Sequence, residues 1–342
     1  MSWRRFVVLA LALFAAFSLT CYGFILVLDP YQNVPFSPAL PRAPVAQNQR
    51  YAYPALARDA QFDSAIIGTS MVRLLNPARL NGLLDARFAN LAMNSATAFE
   101  QVRMNELFLR HHPRAKFLVY AMDDSWCRQA AAPDRYTFRD FPEFMFDENR
   151  WNDLLYLFND KALENAVRML ELVRGKREPK YGPDGYFDFT RDFGAYDLAR
   201  TRQRIYGSPT PPAPPPPLDL KPAAAANPSP MANLELLPRL LEAAPADARL
   251  VLLMPPMHAW HQQQHAANYR ECKARVLDIV GAGRPVTVLD YLLDSPVTRR
   301  DENYWDAIHY GDEVAATIER DLARALAGDF VSRPDVVQRH KR

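Results

Sequence analysis

The sequence predicts an α/β protein: a three-layer parallel sheet with one N-terminal transmembrane helix. Three observations predict it. An uncharged apolar run occupies residues 6–28. Short apolar runs then alternate with helical stretches from about residue 60. After a long irregular segment the same alternation resumes beyond residue 231.

The apolar run reads FVVLALALFAAFSLTCYGFILVL. At ~1.5 Å per residue a helix of this length spans ~30 Å, the thickness of a bilayer's hydrocarbon core. Arg4 and Arg5 precede it and Asp29 follows it. The positive-inside rule then holds the N-terminus in the cytoplasm and puts all that follows on the far side. A cleaved signal peptide has a shorter apolar core of ~7–15 residues. Ser18-Leu19-Thr20 before Cys21 is a poor lipoprotein site. The expectation is an uncleaved anchor over 1–29, in the inner membrane, with the soluble part periplasmic or otherwise extracytoplasmic.

Residues 30–59 are proline-rich at their start and lack periodicity, which predicts an extended juxtamembrane connection. The α/β domain is expected over 60–330. Its strands are predicted at 64–68, 88–93, 116–122, 249–254 and 286–289, each a short apolar run. Helices are predicted at 98–110, 233–244 and 269–280, and a last one starts near Asp312. In that last helix Val314, Ile318, Leu322 and Leu326 recur every four residues, a single packed stripe. Strands that alternate with helices form parallel sheets covered on both faces. Residues 128–231 lose the pattern, apart from a helix predicted over 151–173, and read as an insertion of the kind that can form a lid. Ten of the chain's 29 prolines fall within 208–231. That stretch is expected to be an exposed polyproline-like linker. The polar tail, 331–342, is expected to lack structure.

The chain has 342 residues, enough for one large domain with an insertion. Its 41 basic and 39 acidic residues give a net charge of +2 and no basic run, so nothing points to nucleic acid. Cys127 and Cys272 either pair in an oxidising compartment or remain buried thiols. No cysteine pair has metal-binding or thioredoxin-like spacing, and no metal or organic cofactor is implied.

Two constellations carry chemistry. Ser70 follows the first strand directly, in Ile66-Ile67-Gly68-Thr69-Ser70. Functional groups of an open parallel sheet collect beyond the carboxyl ends of its strands. A serine there presents its hydroxyl and its own N–H to a carbonyl, or else merely caps a helix. The second constellation is Asp306-Ala307-Ile308-His309, just before the last helix. On a tight turn this spacing lets the carboxylate fix the imidazole tautomer while the other ring nitrogen faces a nucleophile. His258 follows the fourth strand and either borders the same crevice or is a plain loop residue. His261 and His265 are four apart, without the glutamate spacing of a metalloprotease. The aromatics Trp126, Tyr136, Phe138, Phe141, Phe144, Phe146 and Trp151 either stack on sugar rings or pack a core.

With Gly68-Thr69-Ser70, Asn90-Leu91-Ala92-Met93-Asn94-Ser95-Ala96, Asp306-x-x-His309 and one N-terminal anchor, the chain resembles the SGNH/GDSL-like superfamily. The likeness is to its membrane-anchored envelope branch, which includes alginate O-acetylation proteins and the teichoic-acid D-alanyl transfer protein. It covers about 60–325 minus the insertion. The resemblance implies an SGNH/flavodoxin-like fold, Ser70 as nucleophile, and Asp306 and His309 as orienter and base. It implies an acyltransferase or esterase acting on an acyl group, acetyl above all, of a surface polysaccharide or glycolipid, with a membrane acyl-donor partner.

Two blocks depart from the family pattern. Asn94-Ser95-Ala96 stands where a glycine is usual, and the third strand ends in Met122-Asp123-Asp124-Ser125 rather than Gly-x-Asn-Asp. The oxyanion hole would then use the Ser70 N–H with Asn94 or another amide. Asp123 and Asp124 would orient Arg73 or a sugar hydroxyl, or simply form a strand-end turn. The alternatives to a transferase are a non-catalytic glycan-binding or scaffold protein and a plain lipase.

Overall fold

The computed structural model describes residues 1–214 and 216–339. The chain forms two compact units: Met1–Ala55 with Phe141–Pro183, and Leu56–Asp140 with the chain from Asp184 onward.

The second unit holds the sheet. Its strands are β1 (Ser64–Ile67), β2 (Phe88–Asn90), β3 (Phe117–Ala121), β4 (Arg249–Met254), β5 (Thr287–Asp290) and β6 (Val337–Arg339), in the order β2-β1-β3-β4-β5-β6. The first five are parallel. Such strands are buried and need no alternation, which is why runs like Leu-Val-Leu-Leu-Met mark them. The helix Asp312–Ala327 lays its predicted stripe, Val314, Ile318, Leu322 and Leu326, into one core with Ile66, Val119, Val251, Leu253 and Leu289. Its first turn carries Asp312 and Glu313 against the positive end of the helix dipole.

The tail differs from expectation. β6 pairs antiparallel with β5, Leu289 opposite Gln338. Val336 is buried, and Arg333 forms an ion pair with Asp321 of the last helix. Backbone pairing with an open sheet edge leaves no signature in side-chain composition, so polarity misled the reading. Residues 340–342 of that tail lie outside the described residues.

The proline-rich stretch differs too; Pro215 within it lies outside the described residues. From 216 onward the chain is strapped to the unit. Arg299 donates to Pro216 O at 3.1 Å, the Leu218 N–H to Asp294 at 2.9 Å, and the Ala223 N–H to Arg270 O at 3.1 Å. Leu220 is buried, and its carbonyl accepts from the buried Lys273 ammonium at 3.1 Å, which also pairs with Asp290 at 3.0 Å. Prolines exclude helix and sheet ladders, but their carbonyls still accept hydrogen bonds, and this strap uses them.

Of the expected 128–231 insertion, only 141–183 leaves the α/β unit. It joins the N-terminal segment, where the expected extended connection instead holds a helix, Gln49–Arg58. The helix expected over 151–173 is broken into a 3-10 segment, Asn152–Phe158, and a helix, Ala162–Val173. The chain's first helix, Trp3–Leu28, is long and apolar enough to cross a membrane by length and composition.

Candidate functional site

Ser70 opens a 3-10 turn, Ser70–Val72, immediately beyond β1. Gly68 makes this turn possible: a Cβ there would stand 2.6 Å from both the Ala121 Cβ and the Val72 Cγ2. Thr69 donates its hydroxyl to Asp123 at the end of β3, which ties the two strand ends together. As the first residue of its turn, Ser70 has a backbone N–H with no partner inside that turn.

Asp306 uses both carboxylate oxygens. Oδ1 accepts from the backbone N–H of Ile308 (2.9 Å) and of His309 (2.8 Å), and Oδ2 meets His309 Nδ1 at 2.7 Å. The three-residue spacing is thus an Asx-type turn that brings the ring to its own carboxylate. A carboxylate only accepts, so Nδ1 carries a proton, and in the neutral ring Nε2 is then the acceptor. Nε2 lies 2.9 Å from Ser70 Oγ, across 239 residues of sequence. Burial tends to raise the Asp306 pKa. The His309 hydrogen bond and charge, with the two backbone N–H groups, outweigh it and hold the carboxyl below its usual range.

The turn is held from behind. The His258 N–H donates to Ala307 O at 2.9 Å, and Trp305 N–H to His309 O at 2.8 Å. His258 itself is buried and does not border the crevice, which corrects its expected place as a site residue. Its Nδ1 accepts from the Trp260 N–H at 3.2 Å, so Nε2 donates to Asp301 Oδ1 at 3.1 Å. Arg202 and Tyr206 bond the same carboxylate. Burial pulls the His258 pKa down in spite of Asp301.

The expected orientation of Arg73 by Asp123 or Asp124 is not found. Arg73 is buried, stacks 4.3 Å over the Phe187 ring and donates to Asn94 Oδ1 at 2.7 Å. Asn94 accepts there through its oxygen; its side-chain donor is the amide nitrogen. Asp123 caps the short helix Asp124–Cys127 and accepts from the Ser125 N–H and hydroxyl as well as from Thr69. All those bonds are accepted, which assigns Asp123 to the strand-end turn. Burial pushes its carboxyl up against those bonds.

Asp124 faces a cavity of about 1000 Å³ that also takes in Ser70, Ser95, Tyr136, Phe138, His265, Asn268 and Ile308. Asp124 accepts from Tyr269 at 2.5 Å and meets His261 Nε2 at 3.3 Å. Burial acts to raise its pKa, but those two bonds and the charges of His261 and His265 leave it lowered. Cys127, on the same short helix, is bonded to Cys272, so the pairing left open by the sequence is made. Among the described residues, no group of three His, Cys, Asp or Glu is placed to hold a metal ion.

Of the candidate aromatics, Tyr136 and Phe138 line the cavity, whereas Trp126 is buried and bonded to Gln101 at 2.9 Å. Two contributors had no role assigned from the sequence. Asn90 is buried and donates to the carbonyls of Val72 and Leu75 (2.9 Å each), shaping the loop behind Ser70. Phe189 packs edge-on to His309, centroids 5.3 Å apart. The segment before it reaches β2, where the Asn90 N–H donates to Asp184 O at 2.8 Å. At Gly185, with φ +81°, a Cβ would fall 2.2 Å from Asn90 O. A polar residue closing an apolar strand, Asn90 after Phe88-Ala89, was the available signal for Asn90; Phe189 had none.

No protein-family model matches this sequence, and no curated protein matches it.

Proposed function

We propose that the chain is a membrane-anchored, envelope-facing serine acyltransferase or esterase with a three-layer SGNH-like fold. The observation that carries this is the relay Ser70 Oγ–His309–Asp306, at 2.9 and 2.7 Å. In the first step His309 Nε2 takes the Ser70 proton as Oγ attacks an ester carbonyl, and Asp306 stabilises the imidazolium. The oxyanion is met by the Ser70 N–H and by a second amide, that of Asn94 or another. His309 then returns its proton to the departing alcohol, leaving acyl-Ser70. In the second step His309 deprotonates an acceptor hydroxyl, which takes the acyl group, and His309 returns that proton to the departing Ser70 Oγ.

The acyl group is acetyl and the acceptor a hydroxyl of a surface polysaccharide or glycolipid. Supporting this are a cavity wide enough for a sugar, with Tyr136 and Phe138 as stacking faces and Asp124 and Asn268 as hydroxyl partners. The apolar N-terminal helix and the Cys127–Cys272 bond support an oxidising, extracytoplasmic compartment. Arg4 and Arg5 give the orientation, and a membrane partner would supply the acyl donor.

One observation favours a second reading, a non-catalytic glycan-binding domain. Asp123 stands where an amide donor would complete the hole, and its oxygens are occupied as acceptors. A fluorophosphonate probe separates the two. Labelling of Ser70 that is lost in His309→Ala supports the enzyme; an unlabelled, folded protein supports the binding domain.

A further inference from the structure

The helix Trp3–Leu28 changes character along its length. Residues 3–20 are exposed, save for half-buried Val7 and Ser18. From Cys21 onward the helix is largely covered by its own unit, and Ile25 and Leu28 are buried. The covering elements are the 3-10 segment Asn152–Phe158 and the helix Ala162–Val173, both packed on the N-terminal helix. The bare portion is 18 residues, or ~27 Å at 1.5 Å per residue. A hydrocarbon core of ~30 Å is slightly thicker than that.

The shortfall falls where the covering elements carry apolar side chains in the open. Phe158 is 74% exposed, Trp151 73%, Leu155 50%, and Leu163 and Val167 44% each. In a soluble protein so many large exposed side chains within 17 residues mark an interaction surface. The edge contact of Phe158 with Tyr22, centroids 5.7 Å apart, sets their level. Tyr22 lies 19 residues beyond Trp3, ~28 Å along the helix axis. Trp3 and Tyr22 therefore have the separation of the two aromatic belts of a membrane span.

We propose that Asn152–Phe158 and the start of Ala162–Val173 form an interfacial membrane contact. Phe158, Leu163 and Val167 would lie at the boundary of headgroups and acyl chains beside the anchor. The occupant is lipid, because the patch adjoins a helix whose bare length ends at its level. The proposal rests on the reading of Trp3–Leu28 as a membrane anchor. It makes the 141–183 segment part of the anchorage: together with the helix it fixes how this unit stands on the bilayer, which a single flexible span does not.

The test uses the full chain, with Cys21→Ser and the disulfide intact, in phosphatidylcholine/phosphatidylglycerol nanodiscs. Nitroxide labels are placed singly at Phe158→Cys and Leu163→Cys, with Ala10→Cys as a mid-bilayer reference and Lys176→Cys as an aqueous one. Relative accessibility to oxygen and to a water-soluble nickel chelate gives depth. We expect labels at 158 and 163 to favour oxygen, at a depth of ~5–10 Å, with 10 deeper and 176 in water. If 10 is in the bilayer but 158 and 163 match 176, the interfacial contact is overturned and the anchor stands. If 158 and 163 are shielded from both quenchers, protein rather than lipid covers them, and the proposal fails. A water-exposed label at 10 removes the anchor reading and this inference with it.

Discussion

At the residue scale the site depends on a few side chains whose bonds are already committed. Ser70→Ala should lower acyl transfer by roughly 10³-fold or more with an unchanged melting temperature, because a half-exposed hydroxyl is lost and no core contact with it. If Asn94 is the second oxyanion donor, Asn94→Ala should cost ~2.7–4 kcal/mol, or roughly 10²–10³ in rate; parallel kinetics of the two variants would check both figures, and an unchanged rate would assign the donor to another amide. His258 predicts a pH effect. Its folded pKa is depressed by burial, so between that value and the ordinary ~6.5 the unfolded chain binds more protons. Its contribution to stability is present above ~6.5 and is lost as pH falls through the folded value. Buried His112 acts with the same sign, also through desolvation. Melting temperature should therefore fall on acidification below ~6.5, and less steeply in His258→Gln; an identical slope in that variant would remove His258 from the account.

At the element scale, two long-range ties set the rigidity of the cavity wall. The Cys127–Cys272 bond joins the helix Asp124–Cys127 to the helix Ala266–Ala282 and closes a loop of 145 residues. Replacing both cysteines by alanine should cost on the order of 3–5 kcal/mol by the chain-entropy argument, read as a shift of the denaturation midpoint. The strap over 216–231 should matter as well. Limited proteolysis should cut in the exposed 208–214 stretch, while deletion of 218–231 should lower the melting temperature clearly by baring Lys273. The elements that the sequence disclosed are those with a local signal. The buried apolar runs of β1, β3 and β4, the four-residue stripe of the last helix, and the Asp306-x-x-His309 turn are all written within a dozen residues. β6, the strap and the broken 151–173 helix depend on partners far along the chain, and composition does not name partners. The same holds within the site: Ser70, Asp306 and His309 were readable because their chemistry is specific to type. Arg73 and His258 were placed among the site residues but are buried away from the cavity, because a charged side chain near a site looks the same whether it faces substrate or supports a neighbour; for Asp123 the strand-end turn, one of the readings left open, is the one its bonds fit.

At the scale of the whole molecule the account joins an apolar helix, an oxidised cysteine pair and a serine site. If Trp3–Leu28 spans a membrane with Arg4 and Arg5 on the cytoplasmic side, as proposed, a reporter fused after Arg342 should be active outside the cytoplasm; a cytoplasmic reading would remove the envelope substrate. The most direct test of the central claim is a trapped intermediate. Full-length protein, purified in detergent, is mixed with an activated acetyl ester, quenched in acid within seconds, and examined by intact mass and peptide mapping. The account predicts one acetyl group on Ser70, absent in Ser70→Ala and formed far more slowly in His309→Ala. A folded protein that never acquires acetyl at Ser70, or acquires it equally without His309, would contradict it.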